Sequence, residues 1–139
     1  MTKEDIIAKV KTLSLPKNSY ILFGSCPMAA ADIREANDID MLVSKEVYKN
    51  LEKSGWQKIS KGANDTPLIR DVFEVHNTWA FSSYNPTLED LLTRALEFEG
   101  IPFASIGDVR KWKSASSQPR HAVDVKLIDD YLKKQYAKN

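Results

Sequence analysis

At 139 residues the chain is long enough for one domain with a real hydrophobic core, and its 42% hydrophobic and 28% charged residues exclude a disordered chain. A formal net charge of +1 argues against a broadly basic nucleic-acid coat, although a local basic patch stays open. Cys26 is the single cysteine, so no intrachain disulfide can form, which fits a reducing cytoplasm. The stretch "MTKEDIIAKVKTLSL" has no apolar core of signal-peptide length, and no segment approaches the ~20 apolar residues of a membrane span. The expectation is a soluble, cytoplasmic protein with no membrane association.

Residues 2–13 predict a first helix: Ile6, Ile7, Val10 and Leu13 recur at helical spacing, and Thr2 with Asp5 forms a capping-box pattern. Pro16 and Asn18 break it. The apolar run Tyr20-Ile21-Leu22-Phe23 predicts a buried strand that ends at Gly24-Ser25, and residues 27–33 predict a short helix with Pro27 in its first turn. "DIDMLV" (38–43) predicts the next strand, 45–54 an amphipathic helix stopped by Gly55, and "WQKIS" (56–60) a further strand. "KGANDTP" (61–67) is the clearest loop. Residues 68–81 read as one or two strands with a turn near Asn77, and 88–98 as a helix with Leu88, Leu91, Leu92, Ala95 and Leu96 on one face. Thr87 and Asp90 suggest its cap. Ile101-Pro102-Phe103 is a short extended piece, and 105–113 and 119–136 predict two closing helices. The pattern is an α/β (α+β) domain with a small mixed sheet, spanning 1–139 as one unit with no linker.

Side chains alternate faces along a strand, so Asp38 and Asp40 point the same way while Ile39 and Met41 point into a core. Two like charges a few ångströms apart each raise the cost of ionising the other, unless a cation lies between them. Oxygen ligands of this kind suit Mg²⁺. Upstream, Gly24-Ser25 lies between a strand and a helix start, where backbone N–H groups and the Ser25 hydroxyl suit a phosphate. Taken singly, a D-x-D is more often solvated charge and a Gly-Ser more often a plain turn. Here they follow one another twelve residues apart, with apolar runs on both sides.

This combination resembles the nucleotidyltransferase superfamily, the fold shared by DNA polymerase β, kanamycin and lincosamide nucleotidyltransferases and the minimal nucleotidyltransferase proteins. Its signature is an apolar residue, Gly-Gly or Gly-Ser, about a dozen residues, then acid-apolar-acid. Phe23-Gly24-Ser25 and Asp38-Ile39-Asp40-Met41 match it, and Arg34 completes the recurrent R-x-x-x-D-x-D. The family draws a third acid from a later strand. Glu74 in "FEVH" is the preferred candidate and Asp71 the alternative; His76 shares the face of Glu74. "ASIGDVRKWKSASSQPRHAVDVKLIDDYL" is similar to the family's tail, with Lys113, Arg120, His121 and Asp124 on its basic and acidic positions.

The resemblance implies an enzyme that moves a nucleoside monophosphate from a nucleoside triphosphate, ATP first among the candidates, to an acceptor hydroxyl with release of pyrophosphate. It implies two-metal Mg²⁺ chemistry at Asp38, Asp40 and Glu74. Gly24, Ser25, Arg34, Lys113 and Arg120 would then hold the phosphates, with Glu74 as base. The acceptor is open: a small molecule, a protein side chain or an RNA end. Trp79, Phe81 and Trp112 are candidates for a surface at which a homodimer or a partner protein completes the cleft, although buried core is the commoner fate of such residues. The alternative is a non-catalytic nucleotidyltransferase-like module that binds nucleotide or a partner, such as a toxin–antitoxin component. In a third reading the motif is coincidental.

Overall fold

The computed structural model describes residues 1–62, 65–79, 84–116 and 118–137. Helix α1 (Lys3–Lys11) opens with the predicted capping box, the Thr2 hydroxyl accepting from the Asp5 amide and the Asp5 carboxylate accepting from the Thr2 amide. It buries Ile6, Ile7 and Val10. Strand β1 (Tyr20–Leu22) leads through Gly24 into α2 (Cys26–Ala30), which carries Pro27 in its first turn. Then come β2 (Ile39–Val43), α3 (Lys45–Lys53), β3 (Gln57–Lys58), β4 (Leu68–Arg70) and β5 (Phe73–His76). The chain closes with α4 (Leu88–Leu92), β6 (Leu96–Phe98), β7 (Ile101–Phe103), α5 (Ile106–Ala115) and α6 (Pro119–Ala137).

Among the described residues the strands form one seven-stranded mixed sheet in the order β3-β4-β5-β2-β1-β7-β6. β1 pairs antiparallel with β2, while β5 joins β2 and β7 joins β1 in parallel. The central strands are buried on both faces, as their unbroken apolar runs require. On one face Leu22, Ile39, Met41 and Val43 pack with Ile6, Ile7 and Val10 of α1 and with Val47 and Tyr48 of α3. On the other, Ile21, Phe23 and Leu42 pack with Trp79, Leu91 of α4, Val109 and Trp112 of α5 and Ile128 of α6. Asp40 and Glu74 emerge on this second face, where α5 ends and α6 begins.

Two expectations need correction. The run 88–98 is not one helix: α4 stops at Leu92 and residues 96–98 form β6. Glu99 and Gly100 both adopt positive φ (53° and 80°), a tight turn that lets Leu96–Phe98 pair antiparallel with Ile101–Phe103. Leu96, assigned to an apolar helix face, is therefore 57% exposed. The turn inside 68–81 falls at Asp71 (φ 54°) rather than at Asn77. Ala63 and Asn64 of the loop 61–67, Ala80 and Phe81 of the run 68–81, and with them Phe81's expected part in a partner surface, lie outside the described residues.

Phe23 ties the sheet to the floor of the site. It is fully buried, with its ring centroid 4.9 Å from that of Trp79 and 5.5 Å from that of Trp112. Phe23→Ala should cost about 3–5 kcal/mol of stability, read as a shift of the urea unfolding midpoint.

Candidate active site

The site is built where β1 ends and β2 begins. Gly24 turns the chain with φ +60°, and the Phe23 amide donates to the Asp40 carbonyl at 2.8 Å. The antiparallel pair thereby lays the Asp40 side chain across the bare Cα of Gly24. A Cβ added at Gly24 would run into Asp40 Oδ2 and stand 2.9 Å from its Cβ and Cγ. The glycine is needed twice, for the left-handed turn and for this close approach. Asp38 sits one residue ahead of β2 and is exposed. The parallel register sets Asp40 opposite Glu74 and Leu42 opposite His76. Asp71 stands in the turn before β5, exposed and paired with Lys9 at 3.2 Å, so it does not share the groove. Of the two candidates for the third acid, only Glu74 faces Asp40.

The acidic end is tightly coupled. Asp40, Glu74 and His76 each offer a ligand atom within 4.8 Å of the others; Asp38 lines the same groove but is not part of that set. Burial holds the Asp40 carboxyl well above the usual range, helped by its hydrogen bond with Glu74 and the charge of Asp38. Glu74 is pushed the other way, by His76 first and then by hydrogen bonds from Asp40 and Lys61. A hard divalent cation beside these oxygens would offset the cost of burying Asp40's charge, and the carboxylate oxygens suit Mg²⁺, so the residues present fit the metal that the resemblance implies.

The basic end brings the stretch ahead of β2 together with the two closing helices. Arg34 binds Asp124 of α6 through two hydrogen bonds of 2.9 and 3.0 Å, and its Nη2 also donates to the Ser25 hydroxyl at 2.6 Å. Lys113 of α5 reaches the same Asp124 at 2.8 Å. One carboxylate between two cations leaves net positive charge beside Ser25. Asp124 is only 5% exposed; burial alone would raise its carboxyl, but the hydrogen bonds from Arg34 and Lys113 outweigh that and hold it below the usual range. Burial lowers the Lys113 ammonium against the pull of Asp124. Arg120 is exposed on the rim.

Between the two ends lies an aromatic floor. Trp79 and Trp112 meet edge to face at 5.0 Å, with His76 against Trp79 at 4.8 Å and His121 against Trp112 at 4.9 Å. The groove so formed has a volume of about 520 Å³. Ser25, Arg34, Asp38, Asp40, Glu74, Lys113 and Arg120 all line it, while Gly24 lies buried beneath Asp40. Trp79 and Trp112 are core residues that border the groove and offer no free partner surface. Lys61 and Asp65 also line it and are not found by sequence reasoning, which treats 61–67 only as a loop. Their charges, arriving just before a strand that carries an acid and a histidine, are the signal that was there to use.

This sheet order, with a glycine turn feeding an acidic strand and a third acid on its parallel neighbour, is a nucleotidyltransferase fold. The chain resembles the crystal structure of ANT(2'')-Ia in complex with adenylyl-2''-tobramycin, with a TM-score of 0.50 and 13% identity over 96% of this chain and 88% of that one. It also matches the solution structure of the antibiotic-resistance factor ANT(2'')-Ia, with a TM-score of 0.48 and 15% identity over 93% and 81%. No protein-family model matches the chain, and no curated protein sequence matches it. Among the described residues no helix is long and apolar enough to cross a membrane.

Gly24→Ala should lose about 1–2 kcal/mol from the left-handed backbone alone, plus the cost of displacing Asp40. Pairing it with Asp40→Gly should recover only the second part, a non-additivity that a double-mutant cycle in urea measures. A second expectation concerns pH. Burial, with Lys113 and Arg120 nearby, lowers His121 to about 4, against 6.5 for a free histidine; Asp124 and Arg34 also face it. Below pH 6.5 the unfolded chain takes up a proton that the folded chain refuses, so stability falls as pH drops from 6.5 to 4. The slope from this group is at most about 1.4 kcal/mol per pH unit, and His121→Phe should flatten that part of the profile.

Proposed function

We propose that the protein transfers a nucleoside monophosphate from a nucleoside triphosphate to an acceptor hydroxyl and releases pyrophosphate, with residues 1–139 acting as one domain. The observation that carries this reading is a single groove with Asp38, Asp40 and Glu74 at one end and Ser25, Arg34, Lys113 and Arg120 at the other. A triphosphate chain needs both: cationic donors for its outer phosphates and carboxylates where the reacting phosphorus sits. A divalent cation bound by Asp38, Asp40 and Glu74 would supply charge neutralisation at the α-phosphate.

The chain's own residues do the rest. The Ser25 hydroxyl, oriented by Arg34, and the exposed Arg120 guanidinium hold the β- and γ-phosphates. Asp124 fixes Arg34 and Lys113 in place, so their charge is pre-positioned before the ligand arrives. Glu74 accepts the proton of the attacking hydroxyl. The aromatic floor keeps water from the groove's inner wall. Transfer to water is the wasteful side reaction that such a wall limits.

ATP is the first donor to try, because the structural neighbour is seen with an adenylyl group joined to tobramycin. A hydroxyl on a small molecule is the acceptor class this suggests. Two acids in register, with Asp38 lining the same groove, favour turnover over a non-catalytic binding module. The test is incubation with each α-³²P-labelled nucleoside triphosphate, Mg²⁺ and a small-metabolite extract, followed by chromatography of the label. Transfer of labelled monophosphate with equimolar pyrophosphate is expected, and no transfer from any of the four would overturn the reading. Asp38→Asn and Asp40→Asn should each lower the rate by about 10²-fold or more. Neither should lower the melting temperature, because each removes a repelling charge.

A further inference from the structure

The first turn of α6 carries a histidine into the wall of the groove. His121 is only 4% exposed, its ring centroid lies 4.9 Å from that of Trp112, and it lines the basic end beside Arg120 and Asp124. The charged groups around it have a partner or open water: Arg34 and Lys113 hold Asp124, and Arg120 is exposed. His121 Nδ1 has neither. It is shut off from solvent, and among the described residues it has no hydrogen-bond partner.

A buried histidine ordinarily has a ring nitrogen tied to a carbonyl or a carboxylate, and that bond fixes its tautomer and its charge. Nδ1 of His121 has no such bond, so the charge of the ring is left to the groups that face it. These are Arg34 from the stretch ahead of β2, Lys113 of α5, and Arg120 and Asp124 of α6. Three cations against one carboxylate leave two positive charges. With burial, they keep the imidazole neutral in the empty groove, holding it at about 4. The outer phosphates of a nucleoside triphosphate would outweigh those two charges and reverse the field at the ring. Both arginines are charged already and cannot respond, whereas a histidine can.

We propose that His121 is a further binding residue for the phosphate chain: it takes up a proton from solvent when a triphosphate enters the groove and releases it when the groove empties, adding a cation to the basic end only while the ligand is bound. This rests on the nucleotidyl-transfer reading, which it deepens. A wall whose positive charge grows with the negative charge of its ligand favours a triphosphate over a monophosphate more than fixed cations do. It also spares the empty protein one more buried cation.

The test is an NMR pH titration of the two histidine rings, His76 and His121, in ¹³C/¹⁵N-labelled wild type, each assigned through bonds to its own backbone. It is run with and without saturating α,β-methylene-ATP and Mg²⁺. The His121 midpoint should rise from about 4 to at least the free-histidine value of 6.5, a shift that equals a roughly 300-fold preference of the ligand for the protonated ring. Calorimetry gives a second reading: the affinity of wild type relative to His121→Gln should grow about fourfold from about pH 8 to about pH 6. The ratio cancels the titration of the ligand's own terminal phosphate, and the NMR reading needs no variant to fold. A His121 midpoint that stays near 4 with the probe bound, or a ratio that does not change with pH, would overturn the proposal and leave nucleotidyl transfer standing. No binding of the probe at any pH would overturn both.

Discussion

Asp40 is the side chain on which the site depends. It rests on the bare Cα of Gly24, faces Glu74 across the parallel β2–β5 pair and feels the charge of Asp38. Each neighbour requires something of the chain. The first needs a glycine at positive φ directly after β1. The second needs β5 to add to β2 in parallel, with a register that a one-residue slip would invert. The third needs an acid two residues earlier. A carboxylate so placed costs free energy in the absence of a cation, and burial pushes its carboxyl well above the usual range. Folding tolerates it because β1 and β2 are buried on both faces and hold the backbone wherever the apolar core puts it.

The basic end is solved differently. Its cations come from Arg34, just ahead of β2, and from Lys113 on α5, and they meet at Asp124 on α6. The stretch ahead of β2 is thereby tied to the two closing helices at one carboxylate. Pairing two cations with one buried acid positions them and still leaves charge for a ligand. The same contacts dock α6 against the sheet's second face, with Ile128 fully buried one turn further along. Docking the last helix and assembling the basic end of the groove rest on the same contacts. A ligand that bridges Ser25 and Arg34 should therefore tighten α6 as well.

The sequence made the acidic strand legible because its constraints are local. The apolar run, Gly24-Ser25, the twelve-residue spacing and Asp38-Ile39-Asp40 all lie within one β-α-β stretch. The preference for Glu74 over Asp71 came from the resemblance of "FEVH" to a family run, with alternation placing Asp71 on the other face. Residues 96–98 were not legible. Leu96 continues a helical period, and what makes it a strand is a two-residue turn at Glu99-Gly100 together with β7 pairing to β1, roughly eighty residues upstream. Asp124 was visible as part of the tail together with Lys113, but its grip on Arg34, ninety residues upstream, is a long-range contact that no local pattern encodes. Lys61 was hidden for a similar reason. A loop lysine reads as solvated until the hairpin around it is known to lean over Glu74.

The claim that most needs testing is that the two ends of the groove bind one ligand together. The direct measurement is thermal unfolding with each nucleoside triphosphate, with and without Mg²⁺, on the wild type and on the Asp38→Asn/Asp40→Asn double variant. A ligand at 100 times its dissociation constant adds about 2.7 kcal/mol, which moves the midpoint of a domain this size by several degrees. The account predicts such a rise for at least one nucleotide, dependent on Mg²⁺ and absent from the double variant. A rise that survives loss of both aspartates, or no rise with any nucleotide, would contradict it.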